Sequence, residues 1–190
     1  MQLEKIEKAA KAGVDWIQIR EKDLSGRELA QLTKDAMVRT GSGTAVLVNE
    51  RADVACATRA RGVHLGERGL PVAEARRLFR ERFPKENFIV GVSAHSLNGA
   101  RQAEQAGADY VIFGPVYATP TKASLGAPQG AQRLEEICQR LKIPVLAIGG
   151  ITLENAGECF AAGAGGIAAI RLFQDAKDLE TVVSELGRLS

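Results

Sequence analysis

The sequence has few cysteines, few aromatic residues and no long hydrophobic run, and these shortages exclude several classes of protein. Its 190 residues include three cysteines, which lie far apart and form no C-x-x-C pair, and 5% of the residues are aromatic. This cysteine pattern argues against a disulfide framework and a zinc site and favours a reducing compartment. No apolar run approaches the roughly 20 residues of a membrane-spanning helix, and the charged first residues are unlike a secretion signal. We therefore expect a cytoplasmic protein that has no membrane partner.

The chain also has little net charge. It carries 25 basic and 23 acidic residues, which gives +2 at pH 7. Such a balance provides no general field that would attract nucleic acid, so that any affinity for anions must be local. The 45% hydrophobic content and the length predict a single domain over residues 1–190 with a real core. Whether the protein forms a homo-oligomer stays open.

Short apolar runs alternate with amphipathic helical patterns along the whole chain. Runs that are apolar on both faces and separated by helices predict a parallel sheet surrounded by helices. Seven strands and eight helices can be counted, and the first helical pattern, at 3–12, precedes the first strand. We therefore predict a TIM (β/α)8 barrel that lacks its first strand. Either the chain is truncated or another segment fills the place of that strand. The predicted strands cover residues 16–19, 45–48, 62–66, 88–92, 110–113, 144–148 and 166–170.

Polar side chains follow the carboxyl ends of these strands, where TIM barrels carry their active sites. Arg20 and Lys22 share a face at i, i+2 beside Gln18, which a merely solvated loop end explains poorly. Two hydroxyls and an ammonium in the loop after residue 113 favour an anionic ligand. The residues that we expect around one mouth are Arg20, Lys22, Asn49, Glu50, Arg51, Glu67, Arg68, Ser93, Thr119, Thr121, Lys122, Gly149, Gly150 and Arg171.

Glycines and one arginine follow the last two predicted strands. Gly149-Gly150 and Arg171 occupy the usual place of a phosphate site in a barrel, where backbone N–H groups meet the anion. The alternative is that the glycines serve packing alone. The two histidines, His64 and His95, give weak signals, since a core position for His64 and a helix start for His95 explain them better than a catalytic role does.

Six motifs in one order carry a family resemblance that covers essentially the whole chain. Together they resemble the thiamine phosphate synthase family, which includes the related thiazole tautomerases. The motifs are QIREK at 18–22, VNERADVA at 48–55, GVHLG at 62–66, GVS at 91–93, GPVYATPTK at 114–122 and AIGGI at 147–151.

The resemblance implies a barrel that joins a pyrimidine methyl diphosphate to a thiazole phosphate and releases diphosphate. It assigns Arg20, Lys22, Asn49 and Lys122 to the diphosphate and pyrimidine, with Gln18 near the ring. It assigns Thr119 and Thr121 to the thiazole, and Ser93 to the lining of the mouth. Gly150, Ile170 and Arg171 match the cradle of the thiazole phosphate.

The resemblance also implies Mg²⁺, which the synthases hold with two aspartates. Glu50 stands in place of the first aspartate and Gly69 in place of the second, so that Glu50 is the remaining candidate ligand, and Glu50 together with Glu67 could hold a displaced ion. Mg²⁺ prefers a rigid octahedron of oxygen atoms. Arg171 replaces a serine of the synthases and could bind phosphate through two hydrogen bonds.

Three functions stay open at this point. The first is a synthase-type transferase acting on small phosphorylated substrates. The second is an isomerase acting on the thiazole phosphate, although Pro115 stands where the tautomerases have a histidine. The third is a non-catalytic protein that binds thiazole phosphate or thiamine phosphate as a regulator.

Overall fold

The structure is a computed structural model that describes residues 2–119 and 127–190. Within these residues there are seven strands and nine helices, which alternate as far as the last strand and end in two consecutive helices. In chain order they are α1 (Gln2–Lys11), β1 (Trp16–Ile19), α2 (Gly26–Thr40), β2 (Ala45–Asn49), α3 (Ala52–Thr58), β3 (Gly62–Leu65), α4 (Val72–Arg82), β4 (Ile89–Ala94), α5 (Leu97–Gln105), β5 (Tyr110–Phe113), α6 (Gly130–Arg140), β6 (Val145–Ile148), α7 (Leu153–Ala161), β7 (Gly166–Ala168), α8 (Arg171–Gln174) and α9 (Leu179–Leu189).

The chain groups into two compact units. Unit 1 is Met1–Gly91 and unit 2 is Val92–Ser190, and β4 crosses their boundary. The prediction of a single domain over residues 1–190 stays a prediction. The seven predicted strands are found in the described residues, and a helix, α1, precedes β1 there, as expected for a barrel pattern without its first strand.

Unit 1 contains three parallel strands whose carboxyl ends lie at one edge. β1 pairs with β2 and β2 with β3, with Ile19 opposite Val48 and Asn49 opposite His64. β3 is buried at every position, as its apolar run predicts. Helix α2 begins with a capping box in which Ser25 Oγ accepts from Glu28 N–H and Glu28 Oε2 accepts from Ser25 N–H.

Unit 2 repeats this arrangement with β5, β6 and β7. The strands are parallel, with Phe113 opposite Ala147 and Ile148 opposite Ala168. All four residues of β5 are buried. A Cβ on Gly114 would lie 2.1 Å from the carbonyl oxygen of Ile148, so that only glycine fits where the chain leaves β5.

Several boundaries differ from the sequence prediction, among them the end of β2, which includes Asn49. Ser93 lies inside β4 and not after it, because this strand continues to Ala94. β7 ends at Ala168, two residues early, and Arg171 begins the short helix α8, which four residues of sequence are too few to reveal by periodicity. In the described ranges no helix combines the length and apolar character that crossing a membrane requires.

Candidate active site at the carboxyl ends of the strands

Gln18 and Asn49 are joined at the carboxyl edge of unit 1. Gln18 is the register partner of Leu47, and Asn49, two residues further along β2, lies on the same face of the sheet as Leu47. Gln18 Nε2 donates a hydrogen bond of 2.8 Å to Asn49 Oδ1, and both side chains are half-buried. Since this bond engages the carbonyl oxygen of Asn49, the group that Asn49 offers to a ligand is its amide NH2.

Arg20 and Lys22 follow β1 and are both exposed. Within residues 2–119 and 127–190 neither forms an ion pair. Arg51 is different, because its guanidinium donates to both carboxylate oxygens of Asp53, at 2.8 and 2.6 Å, and thereby lowers the pKa of Asp53. Arg51 is therefore engaged in structure, whereas the charges of Arg20 and Lys22 are available to an anion.

Glu50 follows Asn49 and directs its carboxylate to the backbone of the next loop. Its Oε1 accepts a hydrogen bond of 2.7 Å from Gly66 N–H. Gly69, at the position of the family's second aspartate, has no side chain to contribute. In the part of the chain that the structure describes, no group of three His, Cys, Asp or Glu side chains could hold a metal ion. These donors do not fit the two-carboxylate magnesium site that the resemblance implies.

The turn Gly149–Gly150 follows β6 and packs against the loop that leaves β5. Its φ values, 102° and 64°, lie in the left-handed region that favours glycine. A Cβ on Gly149 would lie 2.6 Å from Pro115 Cβ, and one on Gly150 would lie 2.4 Å from the carbonyl oxygen of Ala118. Asn155 Nδ2 fixes the same turn by donating 3.0 Å to Gly150 O. Packing therefore requires both glycines, independently of any anion.

Thr119 and Arg171 contact each other at the carboxyl edge of unit 2. Arg171 Nη2 donates to Thr119 Oγ1 at 3.2 Å. Ile170, directly before Arg171, is exposed. The hydrogen bond joins the residue predicted for the thiazole to one predicted for its phosphate, although 52 positions separate them.

His95 is placed more specifically than its sequence signal indicated. Its Nδ1 lies 2.6 Å from the carbonyl oxygen of Gly114. Because a carbonyl oxygen can only accept, Nδ1 carries the hydrogen, and Nε2 of the neutral ring is then unprotonated. Gly114 is 19 residues away in sequence, so that local patterns could not reveal this contact.

Tyr117 is a residue of this edge that sequence reasoning missed. Its hydroxyl donates a hydrogen bond of 2.8 Å to Glu158 Oε2, and its backbone N–H donates one of 2.9 Å to the carbonyl oxygen of Gly149. The thiol of Cys159 lies 3.9 Å from the same hydroxyl. Burial, together with the hydrogen bond to Glu158, raises the pKa of Tyr117. Tyr117 thus ties the loop after β5 to α7, across 41 residues of sequence.

Replacing Tyr117 by phenylalanine is expected to lower the free energy of unfolding at neutral pH by about 1 kcal/mol, because a hydrogen bond to a carboxylate is lost. The raised pKa means that the folded state favours the protonated phenol. This stabilisation is complete below about pH 10, the ordinary tyrosine pKa, and is lost as the pH rises above it. Denaturant unfolding of both proteins between pH 7 and 11 measures the effect. A difference that stays constant across that range would contradict the contact.

The predicted site residues divide between the two units, and the hydrogen bonds found among them join Gln18 to Asn49 in unit 1 and Arg171 to Thr119 in unit 2. Thr121 and Lys122 lie outside the described residues. That both groups face one mouth stays a prediction. Unit 1 presents Gln18, Arg20, Lys22, Asn49 and Glu50, and unit 2 presents Ser93, Thr119, Gly150, Ile170 and Arg171.

Comparison with known proteins decides the family. The model of a family described as thiamine monophosphate synthase matches residues 1–173. The chain belongs to this family. Relatives within it include the thiamine-phosphate synthase of Chlorobium luteolum, which is 41% identical over 97% of this chain and 85% of its own length. A putative thiamine-phosphate synthase of Geobacter sulfurreducens is 45% identical over 87% of this chain and 76% of its own length.

Solved structures agree with the family and the fold. Thiamine phosphate pyrophosphorylase from Pyrococcus furiosus is similar with a TM-score of 0.86 and 35% identity, over 100% of this chain and 89% of that one. A 3-hexulose-6-phosphate synthase, at a TM-score of 0.72 and 18% identity over 98% and 94% of the two chains, shares the fold alone. The predicted α/β fold of the TIM-barrel type is thereby confirmed for this family member.

Proposed function

We propose that this chain is a thiamine-phosphate synthase, a transferase that joins hydroxymethylpyrimidine diphosphate to thiazole phosphate. The observation that carries the proposal is the carboxyl end of β1, where Gln18 donates a hydrogen bond to Asn49 and the exposed cations Arg20 and Lys22 follow in the chain. In a member of this family, two cations without an ion pair in the described residues suit a diphosphate.

The proposed reaction exchanges one bond for another. The bond between the pyrimidine methylene carbon and the diphosphate oxygen breaks, and its electron pair leaves with the diphosphate. The lone pair of the thiazole nitrogen then forms the new bond to the methylene carbon. Because negative charge grows on the leaving oxygen, fixed positive groups around it lower the barrier. No oxidant or reductant is needed.

The residue roles follow from this charge movement. Arg20, Lys22 and Lys122 would stabilise the departing diphosphate, while Asn49, held by Gln18, would donate to the pyrimidine or the diphosphate. On the other substrate, Thr119 and Thr121 would contact the thiazole, and Ser93 would line the site. Gly150, Ile170 and Arg171 would hold the thiazole phosphate, and the Arg171–Thr119 hydrogen bond supports that grouping.

Mg²⁺ is the cofactor that the family resemblance implies, and no step of the proposed reaction is assigned to it. Mg²⁺ is usually held by one or two carboxylates together with substrate phosphates. Glu50, the one candidate ligand at the expected positions, already accepts from Gly66 N–H.

The test is to incubate the purified protein with both phosphorylated substrates and to follow thiamine phosphate and diphosphate by mass spectrometry. Equal amounts of the two products are expected, and the assay is run with Mg²⁺, with Mn²⁺ and with a chelator. Folding is checked by circular dichroism in parallel. A folded protein that forms neither product under all of these conditions would contradict the transferase.

The position of His95 favours the isomerase as a second candidate. An imidazole whose Nδ1 is held by Gly114 O has an unprotonated Nε2 that can accept a proton. This function predicts exchange of protons between the thiazole carboxylate substrate and heavy water without any pyrimidine, followed by NMR. A wild-type protein that shows no exchange excludes the isomerase. A protein that binds thiazole phosphate or thiamine phosphate but shows neither turnover nor exchange would instead support the non-catalytic regulator.

A further inference from the structure

The carboxylate of Glu50 lies over a tight turn whose two glycines make room for it. The turn is closed by a hydrogen bond of 2.9 Å from Gly69 N–H to Gly66 O. A Cβ on Gly66 would lie 2.6 Å from Glu50 Oε1, and a Cβ on Gly69 would lie 2.7 Å from Glu50 Oε2. The Glu50 carboxylate therefore fills the space that a side chain at position 69 would need.

The backbone of Glu50 is arranged for this contact. Its φ of 62° lies in the left-handed region, which is unfavourable for a residue with a side chain. Glu50 N–H donates 2.8 Å to His64 O, which holds the residue next to the end of β3. A residue other than glycine keeps a left-handed backbone conformation only where the surrounding structure holds it there. For Glu50 the surrounding structure consists of β3 and the Gly66–Gly69 turn.

We propose that Glu50 and Gly69 form a matched pair that replaces the family's metal site with a contact between a carboxylate and a backbone turn. Glu50 is then a positioning residue for the loop between β3 and α4, and the free protein holds no divalent cation there. The expected metal rests on family membership, whereas the contact rests on the geometry alone.

Three features of the turn disfavour a cation. Gly66 N–H points its positive end at Glu50 Oε1, where an ion would otherwise compete for the same oxygen. Gly69 supplies no second carboxylate. Arg68, in the same turn, adds a positive charge that opposes a divalent cation through Coulomb repulsion.

The contact is tested by a double-mutant cycle, in which Tm is measured for the wild type, Glu50→Asp, Gly69→Ala and the double variant. Gly69→Ala alone is expected to lower Tm by about 3 °C, because its Cβ would lie 2.7 Å from Glu50 Oε2 and 3.1 Å from the carbonyl oxygen of Gly66. In the Glu50→Asp background the carboxylate is one methylene shorter, so that the same change should lower Tm clearly less. Gly43→Ala is the matched control, since a Cβ there meets nothing within 4 Å. Purely additive effects would overturn the pair.

The cation part is tested by titrating the free protein with Mn²⁺ and following the electron paramagnetic resonance of unbound Mn²⁺. The wild type and Glu50→Gln should both leave the Mn²⁺ free. A Glu50→Asp/Gly69→Asp variant should bind it at least about tenfold more tightly. Uptake by the wild type that Glu50→Gln abolishes would overturn the proposal, and so would a double variant that binds no better than the wild type. Neither readout uses turnover, so that these results are independent of the proposed transferase activity.

Discussion

Alanine in place of Arg20 or Lys22 is expected to lower the kcat of thiamine phosphate formation by about 10²–10³-fold, the usual cost of removing one group that stabilises a developing anion. The reason is that both cations are exposed and, in the described residues, free of ion pairs. Since they would act mainly on the departing diphosphate, kcat should fall more than KM rises. Initial rates with each substrate varied in turn measure this.

The matched control is Lys34→Ala, which removes an exposed cation of α2 outside the proposed site. It should leave kcat unchanged. Arg51→Ala provides the complementary case, because Arg51 is bound to Asp53 and its loss should reduce stability more than turnover. If Arg20→Ala and Lys22→Ala both have the same kcat as Lys34→Ala, neither side chain stabilises the departing diphosphate.

Gly150→Ala is expected to lower the free energy of unfolding by about 2–3 kcal/mol and to raise the KM for thiazole phosphate. The new Cβ would lie 2.4 Å from Ala118 O, and the φ of 64° would strain any residue but glycine. Because the nearest obstacles include backbone, the loop after β5 must move to relieve the clash. Denaturant unfolding and substrate titration measure the two effects separately.

Gly187→Ala is the control for this change, since a Cβ on Gly187 meets nothing within 4 Å and the residue lies in α9. There the change from glycine should instead stabilise the protein by about 0.5–1 kcal/mol, as helical alanine loses less entropy on folding. A Gly150→Ala protein that behaves like Gly187→Ala would contradict both the turn geometry and its role at the site.

The elements that the sequence predicted well are those set by local rules. The strand at Tyr110–Phe113 follows from an apolar run, and its bounds are confirmed. The helix starts after Ser25 and Ser96 follow from hydroxyl caps, and both caps accept the expected backbone N–H. Helix α8 was missed because a single turn has no hydrophobic period to detect.

The contacts that shape the candidate site are the part that the sequence could not predict. The left-handed backbone of Glu50 and its contact with Gly66 depend on how two loops meet across 16 residues. The same holds for Tyr117 and Glu158, which lie on different elements of unit 2. Residue types indicated where ligands could bind, but only the tertiary arrangement distinguishes a side chain that is engaged in structure from one that is available.

Cys159 lies beneath the contact that Tyr117 makes with α7, and this has a practical consequence. The side chain is fully buried, and burial raises the pKa of the Cys159 thiol. Alkylating reagents react readily only with an accessible thiolate, so that Cys159 should react slowly in the folded protein. Cys56 and Cys138, in contrast, are partly accessible. The rate at which Cys159 is alkylated would therefore report local opening of the contact between Tyr117 and α7 under native conditions.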